Sequence, residues 1–387
     1  MRKSADTLFV ALLLALLLGS LIKTVFLPKD INYLENRYAQ KLPELSASDY
    51  LSGNMQDQVE VALSDQLPFS ESLISNVNLV KSRVSLVLLN RAMKYDPNHY
   101  YTYSSERFFG GRICYPPKPL SSTAEAISVR TENLNSLFRE NDGIIFYAYF
   151  IENDSNIDFE TGENSGTCDA LLSGLNLPEN QKGAFRLTGF DDFARDFYMT
   201  DHHWNDQGAR RAYAYLAQML DFKPLAPFKT VVLENALSGS KAKSIGAQDF
   251  LSEEVTVSVY SLPELETSVN GKPGTYGNEA VFLAGKQKQA LTYGAYYGGD
   301  EGEVIFTNHA QPQLENLLII GDSYDNALLK LLASHYHCTY SIDLRYYTPH
   351  TGERFLFSEY IKAHEIDCVL FIGSTAFWTA SDFAVEG

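Results

Sequence analysis

From Leu314 to Gly373, three apolar runs alternate with two stretches of helical spacing, and no other feature restricts the fold of this chain as strongly. LENLLIIGDS at 314–323, CTYSIDLRYY at 338–347 and DCVLFIG at 367–373 read as strands. Their apolar residues are too continuous to leave one face in water, which marks strands buried on both sides. YDNALLKLLASHY and FLFSEYIKAHE between them read as helices. A strand that re-enters its sheet through a helix returns in the same direction, so these strands are expected to run parallel. GIIFYAYFIE at 143–152 follows a helical stretch from Ser122 to Arg139, with Ser122 as its N-cap, and reads as a further buried strand. The expected fold class is α/β, a three-layer sandwich around a central parallel sheet.

The remaining segments attach to that frame. Asn205 to Leu220 is an amphipathic helix that opens just after DHHW. Tyr100 to Ile113 reads as strand or hairpin, and the polar stretch 153–184 as a long surface loop. Residues 253–307 carry period-two runs such as VTVSVYSL and many glycines, so a β-rich insertion is expected at about 250–310. Asp49–Leu63 and Ser70–Leu89 have helical spacing, with LPF at 67–69 as the break. The expected division is 1–29 for a cytoplasmic tip and membrane anchor, 30–120 for a helical lead and linker, and 121–387 for the α/β domain.

Leu8 to Leu27 is almost wholly apolar and about one bilayer long as a helix at ~1.5 Å per residue. Its one charge, Lys23, sits near the outer end, and Arg2 and Lys3 precede it. The positive-inside rule then puts the N-terminus inside and the body outside, as a single-pass protein of the cell membrane. A cleaved signal peptide is the alternative. It needs small residues at both the first and third positions before the cut, and around Gly19 and Ser20 the third-back positions are Leu17 and Leu18.

The net charge of −17 lacks the basic footprint that nucleic acid requires, so no nucleic-acid partner is expected. Four cysteines show no metal-binding spacing. Cys338 and Cys368 lie in apolar runs as buried thiols. Cys114 and Cys168 lie in loop-like sequence, where pairing outside the cell is open.

Three places carry chemistry. Gly321-Asp322-Ser323 closes an apolar strand. Ligands of open parallel sheets bind at the carboxyl ends of strands, where a helix N-terminus suits a developing oxyanion. Ser323 there is either a nucleophile or only a helix N-cap. Thr200-Asp201-His202-His203-Trp204 is the second place. A serine hydroxyl needs an imidazole to take its proton and a carboxylate to orient that imidazole. Asp201 and His203, two residues apart, lie on one side of an extended backbone. Metal ligation and a structural histidine are the alternatives, and no further ligand cluster accompanies them. The third place is Ser341 to Tyr347, where Arg345 either meets an anionic sugar or pairs with Asp343. The Gly298-Gly299 turn either offers N–H groups to the site or is a plain tight turn.

TDHHWNDQGA at 200–209, LLIIGDSYDNALL at 317–329 and IDLRYY at 342–347 resemble the DHHW protein family of bacteria, which is similar to the SGNH-like proteins of alginate O-acetylation. YLENRYAQKLPELS at 33–46 and SDQLPF at 64–69 resemble the same proteins. The resemblance implies an SGNH-hydrolase-like sandwich with Asp201 as orienter, His203 as base and Ser323 as nucleophile. Gly321, Asp322, Trp204, Gly299, Arg345 and Tyr346 are the oxyanion or substrate-binding candidates. His202 stands where the acetylation proteins carry a small polar residue. The implied activity is O-acetylation of a cell-surface or secreted polysaccharide, with no cofactor and no metal. Acyl donors such as acetyl-CoA are absent outside the cell, so a membrane-bound O-acyltransferase partner is implied. An esterase using the same residues with water, and a non-catalytic carbohydrate-binding scaffold, are the rival readings.

Overall fold

The structure is a computed structural model, and it describes residues 2–29, 31–32, 37–42, 50–51, 54–66, 70–103, 106–248, 251–277 and 292–383. The chain forms two units, residues 1–87 with 243–247, and residues 88–242 with 248–387.

In the first unit α1 (Arg2–Phe26) leads to a two-strand ladder, β1 (Ile31–Asn32) with β2 (Arg37–Tyr38), and then α2 (Asn54–Gln66). Gln66 ties these pieces together. Its amide donates to the carbonyls of Lys29 (3.0 Å) and Gln40 (2.9 Å), and its Oε1 accepts from Lys29 N–H at 2.7 Å. The expected break at 67–69 lies outside the described residues. Among the described residues no helix is long and apolar enough to cross a membrane. α1 nonetheless leaves Val10, Leu13, Leu14, Leu17, Leu18, Leu21 and Ile22 exposed. That is an apolar surface of the kind that marks an interaction site. α3 (Ser70–Met93) follows.

The second unit opens on an antiparallel meander, β3 (Tyr101–Tyr103), β4 (Glu106–Phe109) and β5 (Arg112–Cys114). The chain then runs through α4 (Ala124–Glu140), β6 (Ile145–Ile151), α5 (Thr167–Gly174), β7 (Lys182–Phe185), α6 (Phe190–Asp196), α7 (Asp206–Met219), β8 (Lys229–Leu237), α8 (Ser240–Ser244) and β9 (Glu253–Val259). It continues through β10 (Glu266–Val269), β11 (Lys272–Pro273), α9 (Tyr293–Tyr297), β12 (Glu303–Thr307), β13 (Leu317–Gly321), α10 (Leu329–Ala333), β14 (Cys338–Ile342), α11 (Leu344–Thr351), α12 (Phe357–Ala363), β15 (Cys368–Ser374) and α13 (Thr375–Thr379).

Among the described residues the central sheet has eight strands in the order β11-β10-β12-β14-β13-β15-β6-β7. The last five run parallel, whereas β12 is antiparallel to β14, β10 to β12, and β11 to β10. The sheet is therefore mixed, not purely parallel. The expected insertion at about 250–310 is also revised, because β10, β11 and β12 extend the main sheet and, among the described residues, only β9 pairs elsewhere, with β8. Period two does mark half-buried strands, but it does not say which edge they join.

Alternate residues of the inner strands serve two cores. Ile319, Ile372 and Tyr149 pack with Ala212, Tyr213 and Leu216 of α7 and with Phe193 of α6. Ile320, Phe371 and Phe150 pack on the other side with Leu134 and Phe138 of α4, Tyr360 of α12 and Trp378 of α13. Helices thus cover both faces, and β13 is wholly buried. Each such Leu or Ile contributes about 1.5–3 kcal/mol by leaving water. Cys114 belongs to one core and Cys168 to the other, and all four cysteines are free thiols. The sheet stands between Cys114 and Cys168, so they do not pair.

Three local expectations change. The stretch 153–184 is not a surface loop, since Asn153 to Asn156 are buried and α5 lies within it. The second strand-like run ends at Ile342, where Asp343 caps α11 by accepting from Arg345 N–H. Ser122 sits in a short 3-10 turn, and α4 begins after Thr123.

Candidate active site

The carboxyl ends of β13 and β15 build one wall of the site. Gly321 ends β13, and a Cβ there would collide with the Asp325 carboxylate and lie 2.8 Å from the Ile372 carbonyl. Only glycine lets these backbones approach so closely. Asp322 to Asp325 then form a turn closed by Asp325 N–H to Asp322 O at 3.0 Å. Asp322 Oδ2 accepts from both the N–H (3.0 Å) and the hydroxyl (2.8 Å) of Ser374 at the end of β15. Asp322 is therefore a strut, and the turn it braces lifts Ser323 off the sheet edge. Ser323 does not cap a helix: a 3-10 turn over Asp325–Ala327 follows, and α10 begins only at Leu329.

The opposite wall is the segment before α7. Asn205 caps α7 by accepting from Gln207 and Gly208 N–H. Trp204 is fully buried against Phe185 and Tyr324, so it anchors the segment. Glu253 accepts from the N–H groups of Met199 (2.8 Å) and Thr200 (2.6 Å). Tyr324 donates its hydroxyl to the His202 carbonyl at 2.7 Å. Held this way, Asp201 Oδ1 meets His203 Nδ1 at 2.6 Å, and His203 Nε2 meets Ser323 Oγ at 2.7 Å. Asp201 Oδ2 accepts from Ser240 N–H at 2.8 Å, and Gly239 packs so closely that a Cβ would collide with Asp201. A carboxylate on Nδ1 fixes the proton there and leaves Nε2 free to accept from the serine.

Burial alone would raise the Asp201 carboxyl. The neighbouring His203 outweighs it by charge and hydrogen bond, and the group stays well below the ordinary carboxylate range. His202 is pushed down to about 3, by burial first and by the adjacent His203 second. It is neutral at pH 7 and bonds Ser240 Oγ through Nδ1 at 2.6 Å. Donor atoms of Asp201, His202 and His203 lie within 4.8 Å of one another, a grouping that could in principle ligate a metal. Two ligands at about 2 Å from a tetrahedral zinc stand about 3.3 Å apart, whereas Asp201 and His203 meet at hydrogen-bond distance. The atoms fit a proton between them.

Ser323 opens on a cavity of about 410 Å³, whose wall includes His202, Asn153, Tyr115, Arg345, Thr375 and Phe383. Arg345 lines it while pairing with Asp343 (2.5 Å) and Asp300 (3.3 Å). Asp322 lines it as well. Trp204, Tyr346 and Gly299 are not among its lining residues. Tyr346 stacks on His350, and the Gly299 carbonyl accepts from Tyr276 at 2.9 Å. Sequence reasoning missed Ser240, Tyr324 and Tyr293. The Tyr293 ring lies 3.7 Å from that of His203 at an interplanar angle of 6°. No motif surrounds Ser240 or Tyr293, and Tyr324, though it follows Ser323 in GDSYDN, gives no sign in sequence of its bond to the His202 carbonyl; each meets the site through the fold.

Several solved structures superpose on this arrangement of strands and helices. Bacillus cereus PatB1 with a sulfonyl adduct matches with a TM-score of 0.57 at 16% identity, over 75% of this chain and 100% of that one. A second structure of Bacillus cereus PatB1 matches with 0.55 at 18% identity, over 74% and 99%. A DHHW family protein from Eubacterium siraeum matches with 0.53 at 17% identity, over 73% and 95%. The chain shares its fold with these proteins. At such identities the likeness is one of architecture. No family model matches the sequence, and no curated protein sequence matches it.

Proposed function

We infer that this chain is a serine acyltransferase of SGNH-like type that O-acetylates a cell-surface or secreted polysaccharide. The observation that carries this reading is the unbroken relay Asp201–His203–Ser323, with contacts of 2.6 and 2.7 Å, ending at a cavity. Ser323 Oγ attacks the acyl carbonyl carbon of a donor ester while its proton passes to His203 Nε2. The donor oxygen leaves with that proton, and Ser323 holds the acyl group. A sugar hydroxyl then gives its proton to His203 and attacks the acyl-serine. Ser323 departs and recovers the proton. Asp201 stays ionised throughout and stabilises each imidazolium.

Sulfonyl electrophiles form adducts with nucleophilic side chains, and the PatB1 structure with its sulfonyl adduct favours a nucleophile on this fold. The exposed apolar face of α1 supports residues 8–27 as a membrane anchor that holds the body outside the cell. There the acyl donor is supplied by a membrane-bound O-acyltransferase.

The test is labelling of the purified protein with a sulfonyl fluoride, followed by peptide mass mapping. The adduct is expected on Ser323, lost in Ser323→Ala and strongly slowed in Asp201→Asn. An acetyl ester with a candidate oligosaccharide should then yield acetylated sugar by mass. A folded protein that takes no label at Ser323 would overturn the reading.

A further inference from the structure

His203 is held between two rings. Tyr293 lies 3.7 Å from it at 6°, and His202 lies 3.8 Å from it at 35°. Two rings this close to one imidazole cannot share a face, so Tyr293 covers one face and His202 the other. Tyr293 belongs to the short helix α9 and is buried against Tyr198 and Tyr297. Among the described residues its buried hydroxyl has no hydrogen-bond partner. A phenol oriented for hydrogen bonding would have one, so it is the ring face of Tyr293 that serves the site.

The geometry points to Tyr293 as a positioning residue for His203, whose aromatic face keeps the imidazole in line with Ser323 and stabilises the imidazolium formed when the serine loses its proton. This inference rests on the reading of His203 as the base. A cation over an aromatic face is attracted by the ring quadrupole, by about 0.5–1 kcal/mol at exposed sites and about 2 when desolvated. Tyr293 and His202 thus act differently. The phenol face favours a charge on His203, while His202 is neutral and adds no repulsion. The groups that face His203 are Asp201, His202, Tyr293, Tyr324 and Ser323. Lys241 and Arg345 act on the adjacent His202. Only Asp201 among the contacts carries full charge at neutral pH, so the ring face is the second source of imidazolium stability.

The experiment is an NMR titration of the His203 imidazole in the full chain, alongside the pH profile of Ser323 labelling. Tyr293→Phe keeps the ring face and should move both far less than Tyr293→Leu does, because the hydroxyl makes no hydrogen bond among the described residues. Tyr293→Leu should lower the titration midpoint by about 0.4–1.5 pH units, the stacking energy converted at ~1.4 kcal/mol per unit. The acid limb of labelling should move with it. Should Tyr293→Leu fail to fold, phenylalanines of increasing fluorination at 293 keep the shape and weaken the quadrupole. The midpoint should then fall stepwise with fluorine number. A midpoint that does not move in the folded Leu variant or across the fluorinated series overturns the inference. Because the titration needs no turnover, a midpoint that moves in a protein that never labels would instead overturn the acyltransferase reading.

Discussion

Asp322 and Ser374 lie 52 residues apart, yet one carboxylate oxygen of Asp322 accepts both the backbone N–H and the hydroxyl of Ser374. The pair joins the carboxyl ends of β13 and β15 directly beneath Ser323. Asp322→Ala should strand buried donors at Ser374 and Tyr324, at a cost of about 2–4 kcal/mol. Urea denaturation should show that loss. Labelling of the protein that remains folded should slow by at least about tenfold, because the turn carrying Ser323 loses its brace.

Gly239 offers a second handle on the relay. A Cβ at 239 collides with Asp201, so Gly239→Ala should push the carboxylate off His203 Nδ1. The far-UV spectrum should be unchanged, while labelling at Ser323 falls by about 10–100-fold. Equal labelling rates in both proteins would show that the Asp201 contact is dispensable.

Protonation of His202 should make stability depend on pH. Its folded pKa is about 3, against an unfolded value near 6.5, so the folded chain binds fewer protons between those limits. The stability contributed is complete above pH 6.5 and is lost as pH falls toward 3, at up to about 1.4 kcal/mol per pH unit. Asp343 opposes this in part: burial raises its carboxyl to about 6, so its contribution is present at low pH and lost as pH rises toward 6. His202→Gln keeps a hydrogen-bonding partner for Ser240 and removes the histidine component. The difference in unfolding free energy between the two proteins should change with pH between 6.5 and 3 and be flat above.

Cys114 and Cys168 sit in cores on opposite faces of the sheet. Burial raises both thiols, Cys114 to about 12, so neither is ionised at neutral pH. A thiol reagent should react slowly with the native protein and count four thiols once it is denatured. Reductant should leave the melting temperature unchanged. A count of two without reductant would contradict this arrangement.

Periodicity alone located β6, β13 and β15 and the helix after DHHW, because strands buried on both faces and a helix with one wet face leave unmistakable apolar patterns. The same reasoning failed where a pattern was local but the outcome was not. Leu344 to Tyr347 follow an apolar run and look extended, but capping by Asp343 turns them into helix. The alternation within 253–307 marked strands, while the place of β10 to β12 on the edge of the main sheet was set by pairing β12 with β14, some thirty-five residues on.

The candidate site divides in the same way. The sequence by itself singled out Asp201, His203 and Ser323 and set Asp201 and His203 two residues apart. Tertiary structure decided that Ser323, 120 residues later, comes to 2.7 Å from His203 Nε2. It also decided that Ser240 steadies Asp201, that Tyr293 covers the imidazole, and that Trp204 and Tyr346 stay out of the cavity wall. The physical reason is that spacing and periodicity describe a residue's relation to its chain neighbours. Sheet order and packing join distant segments, and those joins are where the site is made.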